Sequence, residues 1–297
     1  MQADPFGPSR GRLLGLAYRM LGSRSEAEDV LQDAWLRFNA VREVDNRDAL
    51  LTTIVTRLCL DRLKSARVRR EAYVGPWLPE PVADTQALAP DAATELADDL
   101  SFALLLTLER LKPAERAAFL LHDVFDMPFT QVAATLGRSE PACRQLAARA
   151  RKAVQAGGPM ARPPVEAHQR LLAAFGMAVT SGDVAALTAL FHEDAVLLAD
   201  GGGKVLAARN AITGADRIAR FFIGTVRKYG SDMPPLRIEL AKINGIPAIV
   251  ARAGEDIDQM LQVAVRDDRI EAVYVVRNPD KLGWLGSGNP LEGIKIT

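Results

Sequence analysis

FTQVAATLGRSEPACRQLAARARKAV, residues 129–154, is the stretch on which the reading of this chain turns. The spacing predicts a short helix capped by Thr130 and running to Leu136, then a tight turn at Gly137. Ser139 caps a longer second helix, with Glu140 and Pro141 in its first turn. That helix is cationic: Arg138, Arg144, Arg149, Arg151 and Lys152 face only Glu140 in opposition. Helix, glycine turn and basic helix form the helix-turn-helix arrangement. Arg138, Ser139, Arg144, Gln145, Arg149 and Lys152 are the candidate DNA contacts, able to reach phosphates and base edges. Ala142, Ala147 and Ala148 keep the helix slim enough to enter a groove. An ordinary solvated helix would carry similar charge, but it needs neither the glycine turn nor the cap.

Upstream, LSFALLLTLERL and PAERAAFLLHDVF read as helices broken at Lys112-Pro113. Residues 10 to about 71 are helical as well. RLLGLAYRMLG places Leu13, Leu16, Ala17 and Met20 on one face and stops at Gly22. Ser23 or Ser25 caps EAEDVLQDAWLRFNAV, whose apolar stripe runs through Ala27, Val30, Leu31, Ala34, Trp35 and Phe38. Asp48 opens ALLTTIVTRLCLDRLKSARVRRE, with Leu51, Ile54, Val55, Leu58 and Cys59 facing a core. Its basic residues, Arg57, Arg62, Lys64, Arg67, Arg69 and Arg70, are opposed only by Asp61. A cationic helix end also satisfies the helix dipole, so this run alone is less diagnostic than the second basic helix.

Charge makes sense only segment by segment. Lys plus Arg and Asp plus Glu both total 37, yet Glu80, Asp84, Asp91, Glu95, Asp98, Asp99 and Glu109 lie between the two basic segments without one Lys or Arg among them. Two basic helices flanking an acidic bridge indicate a nucleic-acid partner that the net charge of zero conceals. The 297 residues suit two or three domains, and 48% apolar and 25% charged residues are ordinary for a soluble protein. No apolar run approaches the ~20 residues of a membrane-spanning helix, and no secretory signal is visible, so a cytoplasmic protein with no membrane partner is expected. Cys59 and Cys143 are in helical patterns, far apart and outside any metal or redox spacing; both read as reduced thiols, and neither a metal nor a cofactor is expected.

YVGPWLPEP, residues 73–81, follows the first basic helix. Pro76, Pro79 and Pro81 make it extended, and Trp77 is an unusual residue to leave in a flexible linker. AGGPMARPP, residues 156–164, is a second linker. Beyond it the pattern changes to a helix-rich opening and then short strands: AVLLAD, KVLAARNA, LRIELAKING, IPAIVARA, MLQVAVRD and RIEAVYVVRN. Helices followed by strands indicate a separate α+β domain. DGGGK, residues 200–204, permits close backbone approach but lacks the strand and helix context of a phosphate loop. NPDKL, residues 278–282, reads as a turn in which Asp280 is available to cap. His122, His168 and His192 form no catalytic constellation, so no enzyme is expected.

These segments resemble a known family. EAEDVLQDAWLRF and LLTTIVTRLCLDRLKSARVRR resemble region 2 of extracytoplasmic-function sigma factors. LERLKPAERAAFLLHDVFDMPFTQVAATLG followed by RSEPACRQLAARARK resembles region 4. With WLPEP, DGGGK and NPDKL in that order, the chain is similar to sigma factors that carry a fused SnoaL-like domain, the sigma factor J type. The resemblance implies a multidomain fold: two all-α sigma domains and an α+β, cone-shaped NTF2-like (SnoaL-like) domain. The expected boundaries are 1–75 for region 2, 76–98 for the acidic linker, 99–156 for region 4, 157–164 for a linker and 165–297 for the SnoaL-like domain.

The resemblance further implies an alternative sigma factor that directs transcription initiation. The region 4 residues named above would read the −35 element, and Arg57, Arg62, Lys64, Arg67, Arg69 and Arg70 the −10 element. Arg57 departs from the family's usual Asn at that place. Glu28, Asp29, Asp33 and Arg37 would bind core RNA polymerase at its clamp helices, with the flap and promoter DNA as further partners, whereas Trp35 reads as core. Trp77, Leu78, Pro79, Glu80 and Pro81 are expected to dock on Asp200, Gly201, Gly202, Gly203 and Lys204 and on Asn278, Pro279, Asp280, Lys281 and Leu282, so that the C-terminal domain regulates activity through the linker. The alternatives are a one-component regulator sensing a small-molecule ligand in the cone, against which the region 2 features argue, and a fused enzyme.

Overall fold

The computed structural model describes residues 6–41, 44–83, 88, 99–156, 164–229 and 236–286. The chain divides into two compact units, one of Met1–Ala72 with Asp84–Met160 and one of Tyr73–Ala83 with Ala161–Thr297. Residues 76–83 of the expected linker, together with residues 73–75 of the expected region 2, thus belong with the C-terminal unit.

In the first unit, α1 (Ser9–Leu21), α2 (Arg24–Asn39) and α3 (Arg47–Glu71) pack as a bundle around Leu13, Leu14, Tyr18, Leu31, Leu51 and Val55. Gly22 ends α1 in the left-handed region at φ 69°, and the Ser23 side chain caps α2 by accepting from the Glu26 amide. Asn46 caps α3, leaving Asp48 in its first turn. Next come α4 (Phe102–Glu109) and α5 (Pro113–Phe119), which runs on into a π-helical turn at Leu120–Val124. The helix-turn-helix comprises α6 (Phe129–Leu136) and α7 (Glu140–Ala156). Here the structure corrects two details. Pro128 occupies the N-cap position of α6, so Thr130 lies inside its first turn; Ala147 faces the core with Cys143, Leu146, Ala150 and Val154 and does not border the groove-facing side. Gly137 turns between the helices at φ 62°, and Ser139 accepts from the Ala142 amide at 3.4 Å.

The second unit opens with α8 (Val165–Ser181) and α9 (Val184–Ala189). A six-stranded sheet follows, in the order β2-β1-β6-β5-β4-β3. Its strands are β1 (Phe191–Asp200), β2 (Ile212–Thr213), β3 (Leu236–Ile243), β4 (Ile246–Ala253), β5 (Asp256–Arg266) and β6 (Arg269–Val276), with α10 (Ala215–Tyr229) between β2 and β3 and α11 (Pro279–Gly286) after β6. The β1–β6 pair is parallel and the other pairs are antiparallel. Leu171, Phe175, Ile218 and Ile223 of the helices pack against Leu197, Leu261, Val263 and Val273 on one face of the sheet. This is the α+β arrangement expected for the C-terminal part of the chain. Asn244 and Gly245, at φ 51° and 81°, form the two-residue turn between β3 and β4 that Asn-Gly favours. Among the described residues no helix is long and apolar enough to cross a membrane.

Candidate functional site

Asp200 ends β1, has no solvent exposure and is the centre of the second unit's polar site. Four donors converge on its carboxylate. Tyr73 donates its hydroxyl at 2.6 Å and Gly202 its amide at 3.0 Å to Oδ1; Leu78 donates its amide at 2.9 Å and Lys281 its ammonium at 2.7 Å to Oδ2. A buried carboxylate is tolerated only when its oxygens are satisfied in this way. Lys281 also donates to the Leu78 carbonyl at 2.5 Å, and its ammonium lies 4.4 Å from the Trp77 ring centroid and 5.1 Å from that of Tyr73. Trp77 therefore covers a cation held by a buried carboxylate. Asn278 Nδ2 donates to the Tyr73 hydroxyl at 2.8 Å, and burial, followed by the hydrogen bond to Asp200, pushes the Tyr73 phenol well above its ordinary value.

The three motifs named from sequence thus meet in one clasp. Leu78, Pro79, Glu80, Pro81 and Val82 are all buried. Asn278, not Asp280, opens α11: its Oδ1 accepts from the Asp280 amide at 3.1 Å, while Asp280 pairs with Lys204. Pro279 begins that helix and Leu282 is buried. Each glycine of DGGGK has a steric reason. A Cβ at Gly201 would fall 2.5 Å from the Val205 carbonyl, one at Gly202 would fall 2.4 Å from Asn278 Nδ2, and one at Gly203 would press on Val74; Gly202 and Gly203 also have positive φ.

Sequence reasoning missed two members of this site. Tyr73 stood in the quoted Pro-rich stretch, but nothing local marks its hydroxyl as a ligand of Asp200. Asn244 stood unmarked at the end of the strand-patterned LRIELAKING; its backbone amide donates to the Val82 carbonyl at 2.7 Å and its Oδ1 accepts from the Val82 amide at 2.9 Å, pinning the far end of the segment.

In the first unit, Arg138, Ser139, Arg144, Gln145, Arg149 and Lys152 all lie exposed along one side of the helix-turn-helix. Arg149 is paired with Glu115 at 2.8 Å and Arg144 with Glu140 at 3.0 Å. The basic residues of α3 are differently engaged. Arg57 donates to the Thr135 carbonyl of α6 at 3.3 Å, beside Thr53 and Thr135 hydroxyls 3.3 Å apart. Arg70 donates to the Leu21 carbonyl at 2.7 Å and pairs with Glu109, which also binds Arg116 at 3.0 Å. Arg116 is only 3% exposed and donates to the Met20 carbonyl at 2.6 Å; burial pulls its guanidinium down to about 10. Arg62 joins Asp33 at 2.8 Å and Asp29 at 3.6 Å, and Lys64 pairs with Asp61. The side chains of Arg67 and Arg69 lie outside the described residues. Glu28 pairs with Arg10 at 2.8 Å, Arg37 is exposed, and half-buried Trp35 lies against Phe6 and Phe38.

Comparison with known proteins agrees with this architecture. Residues 7–69 match the family Sigma-70 region 2, and residues 101–154 match Sigma-70, region 4. The chain is 40% identical to the ECF RNA polymerase sigma factor SigJ of Mycobacterium tuberculosis, across 98% of this chain and 95% of that protein. It is 32% identical to the probable ECF RNA polymerase sigma factor SigI of the same species, across 95% of this chain and 96% of that one. The crystal structure of the M. tuberculosis extracytoplasmic function sigma factor SigJ superposes with a TM-score of 0.73 at 36% identity, covering 95% of this chain and 97% of that one. With both sigma regions matched and a relative aligned over nearly its whole length, the chain belongs to the extracytoplasmic-function (ECF) RNA polymerase sigma factors.

Proposed function

We propose that the C-terminal unit regulates promoter recognition in cis by holding the segment that joins region 2 to region 4. The family works with core RNA polymerase at promoter DNA, and both sigma regions must reach their elements together. Arg138, Ser139, Arg144, Gln145, Arg149 and Lys152 contact the −35 element, and Arg57, Arg62, Lys64, Arg67, Arg69 and Arg70 the −10 element. Glu28, Asp29, Asp33 and Arg37 dock on the polymerase clamp helices, with region 4 on the flap. Domain boundaries near residues 75, 98, 156 and 164 follow from the same reading, with Tyr73–Ala83 acting as part of the regulatory domain.

The observation that carries the proposal is the clasp at Asp200. Tyr73, Trp77 and Leu78 are tied to Asp200 and Lys281, and Val82 to Asn244, so the start of the connection is withdrawn from the tether available to the two regions. The contacts of Arg57 and Arg70 with region 4 favour a closed arrangement of the first unit that promoter binding has to undo.

Transcription with core polymerase tests this, comparing the full chain, a chain ending at Ala156, and Trp77→Ala. Output that rises on truncation makes the C-terminal unit a brake, and output that falls makes it a required positive element. In either case Trp77→Ala shifts output in the direction of the truncation. If neither change alters output, the proposal fails.

A further inference from the structure

Phe129 opens α6 and touches two residues that are distant in sequence. Its ring centroid is 3.8 Å from that of His122, at an interplanar angle of 32°, and 4.8 Å from the guanidinium carbon of Arg144. His122 is itself fixed. It sits in the π-helical turn Leu120–Val124, where the shift to i→i+5 bonding changes the helix register, and its Nδ1 is 2.8 Å from the Met127 carbonyl. Asp126, at φ 53°, turns the chain sharply just before Pro128 and Phe129. A π-helical turn, a left-handed residue and a His–Phe contact thus converge under one arginine.

That arginine is on the exposed side of α7, with 60% of its side chain accessible. A long exposed side chain ordinarily samples many rotamers, which blunts any preference it has among bases. Arg144 is held twice, by Glu140 Oε2 on Nη2 and by the face of Phe129. Nε and Nη1 make no hydrogen bond among the described residues. A guanidinium fixed on a ring face with donors to spare is suited to the two-pronged readout of a guanine edge in the major groove. Arg149 and Arg151, by contrast, use Nε on Glu115 and Asp123 and suit phosphate contact or helix packing.

We propose that Phe129, seated on His122, is a positioning residue that fixes the Arg144 guanidinium for one base edge of the −35 element. This rests on α7 being the −35 reading helix. An i,i+4 pair with Glu140 would stabilise α7 whether or not Phe129 were present, so selectivity among bases, not overall output, distinguishes a positioning role from a structural one.

The experiment uses the full chain with core polymerase on a panel of templates in which each −35 base pair is replaced in turn. Wild type is compared with Arg144→Ala, Phe129→Leu, Phe129→Met and Phe129→Tyr, with thermal melting of each variant alongside. Arg144→Ala flattens the base preference at one or two positions. The two ringless variants flatten the same positions by about two- to fivefold, as expected for the loss of an exposed cation–π contact, and leave the other positions and the salt dependence unchanged. Phe129→Tyr restores the preference. The proposal is overturned if the ringless variants keep the wild-type preference at the Arg144 positions, lower output equally on every template, or behave as Phe129→Tyr does. A wild-type panel flat at every −35 position would instead overturn the assignment of α7, and this proposal with it.

Discussion

At Asp200 a single side chain holds together segments from three places in the sequence. Replacing it by Asn keeps the shape but leaves Lys281 without its counter-charge in a site where only 12% of that side chain is exposed. Breaking such a buried pair costs about 3–5 kcal/mol, so Asp200→Asn should lower the denaturant midpoint of the C-terminal unit and release the Trp77 segment to proteases. A second residue-scale prediction concerns His168, buried on α8, whose imidazole is held below its ordinary value by desolvation. The unfolded chain binds a proton there more readily than the native one, so stability rises with pH in this window. The contribution is intact above the unfolded value of about 6.5 and is lost as pH falls through the depressed native value. Melting between pH 7.5 and pH 5 should show the decline, and His168→Gln should flatten it. The docking of WLPEP on DGGGK was expected from the sequence; the hydrogen bonds that Asp200 accepts from Tyr73 and Leu78 were not, because pairing across 127 and 122 residues leaves no local pattern.

Between elements, the informative contact is that of α3 with α6. Thr53 and Thr135 touch through their hydroxyls, so Thr53→Cys with Thr135→Cys should form a disulfide under mild oxidation. Cys59 and Cys143 are buried, and burial raises both thiols, so they should not compete for the oxidant. The oxidised double variant should lose promoter-dependent transcription and regain it with reductant; undiminished output from fully crosslinked protein would show that region 4 need not leave α3. The helix-turn-helix and its glycine turn were readable because periodicity and backbone conformation are local properties. The capping of α6 was misread at Thr130: Pro128 occupies the N-cap position and Phe129, its ring against His122, begins the helix. The partners of Arg57 and Arg70 were hidden for a similar reason, since a cationic helix looks the same in sequence whether it faces DNA or a neighbouring helix.

For the whole molecule, periodicity disclosed two helical segments, the second with a helix-turn-helix, and an α+β unit, and the resemblance identified the helical segments as sigma regions 2 and 4. Composition could not show that residues 73–83 cluster with residues far downstream, because a Pro-rich segment is extended both when free and when docked. Gly202→Ala tests that grouping without touching a charge. Its Cβ would collide with Asn278, so the variant should loosen the clasp and change transcription in the same direction as removal of the C-terminal unit. The clasp also carries a consequence in time. Leu78 and Lys281 are 203 residues apart, so the ribosome has delivered both sigma regions well before the residues that grip the connection between them. The last helix of region 4 ends at Ala156, 125 residues before Lys281 (281 − 156), so at about 5–20 residues per second the interval is roughly 6–25 s. Each newly made molecule therefore passes through a period in which its sigma regions are complete and the clasp has yet to be synthesised.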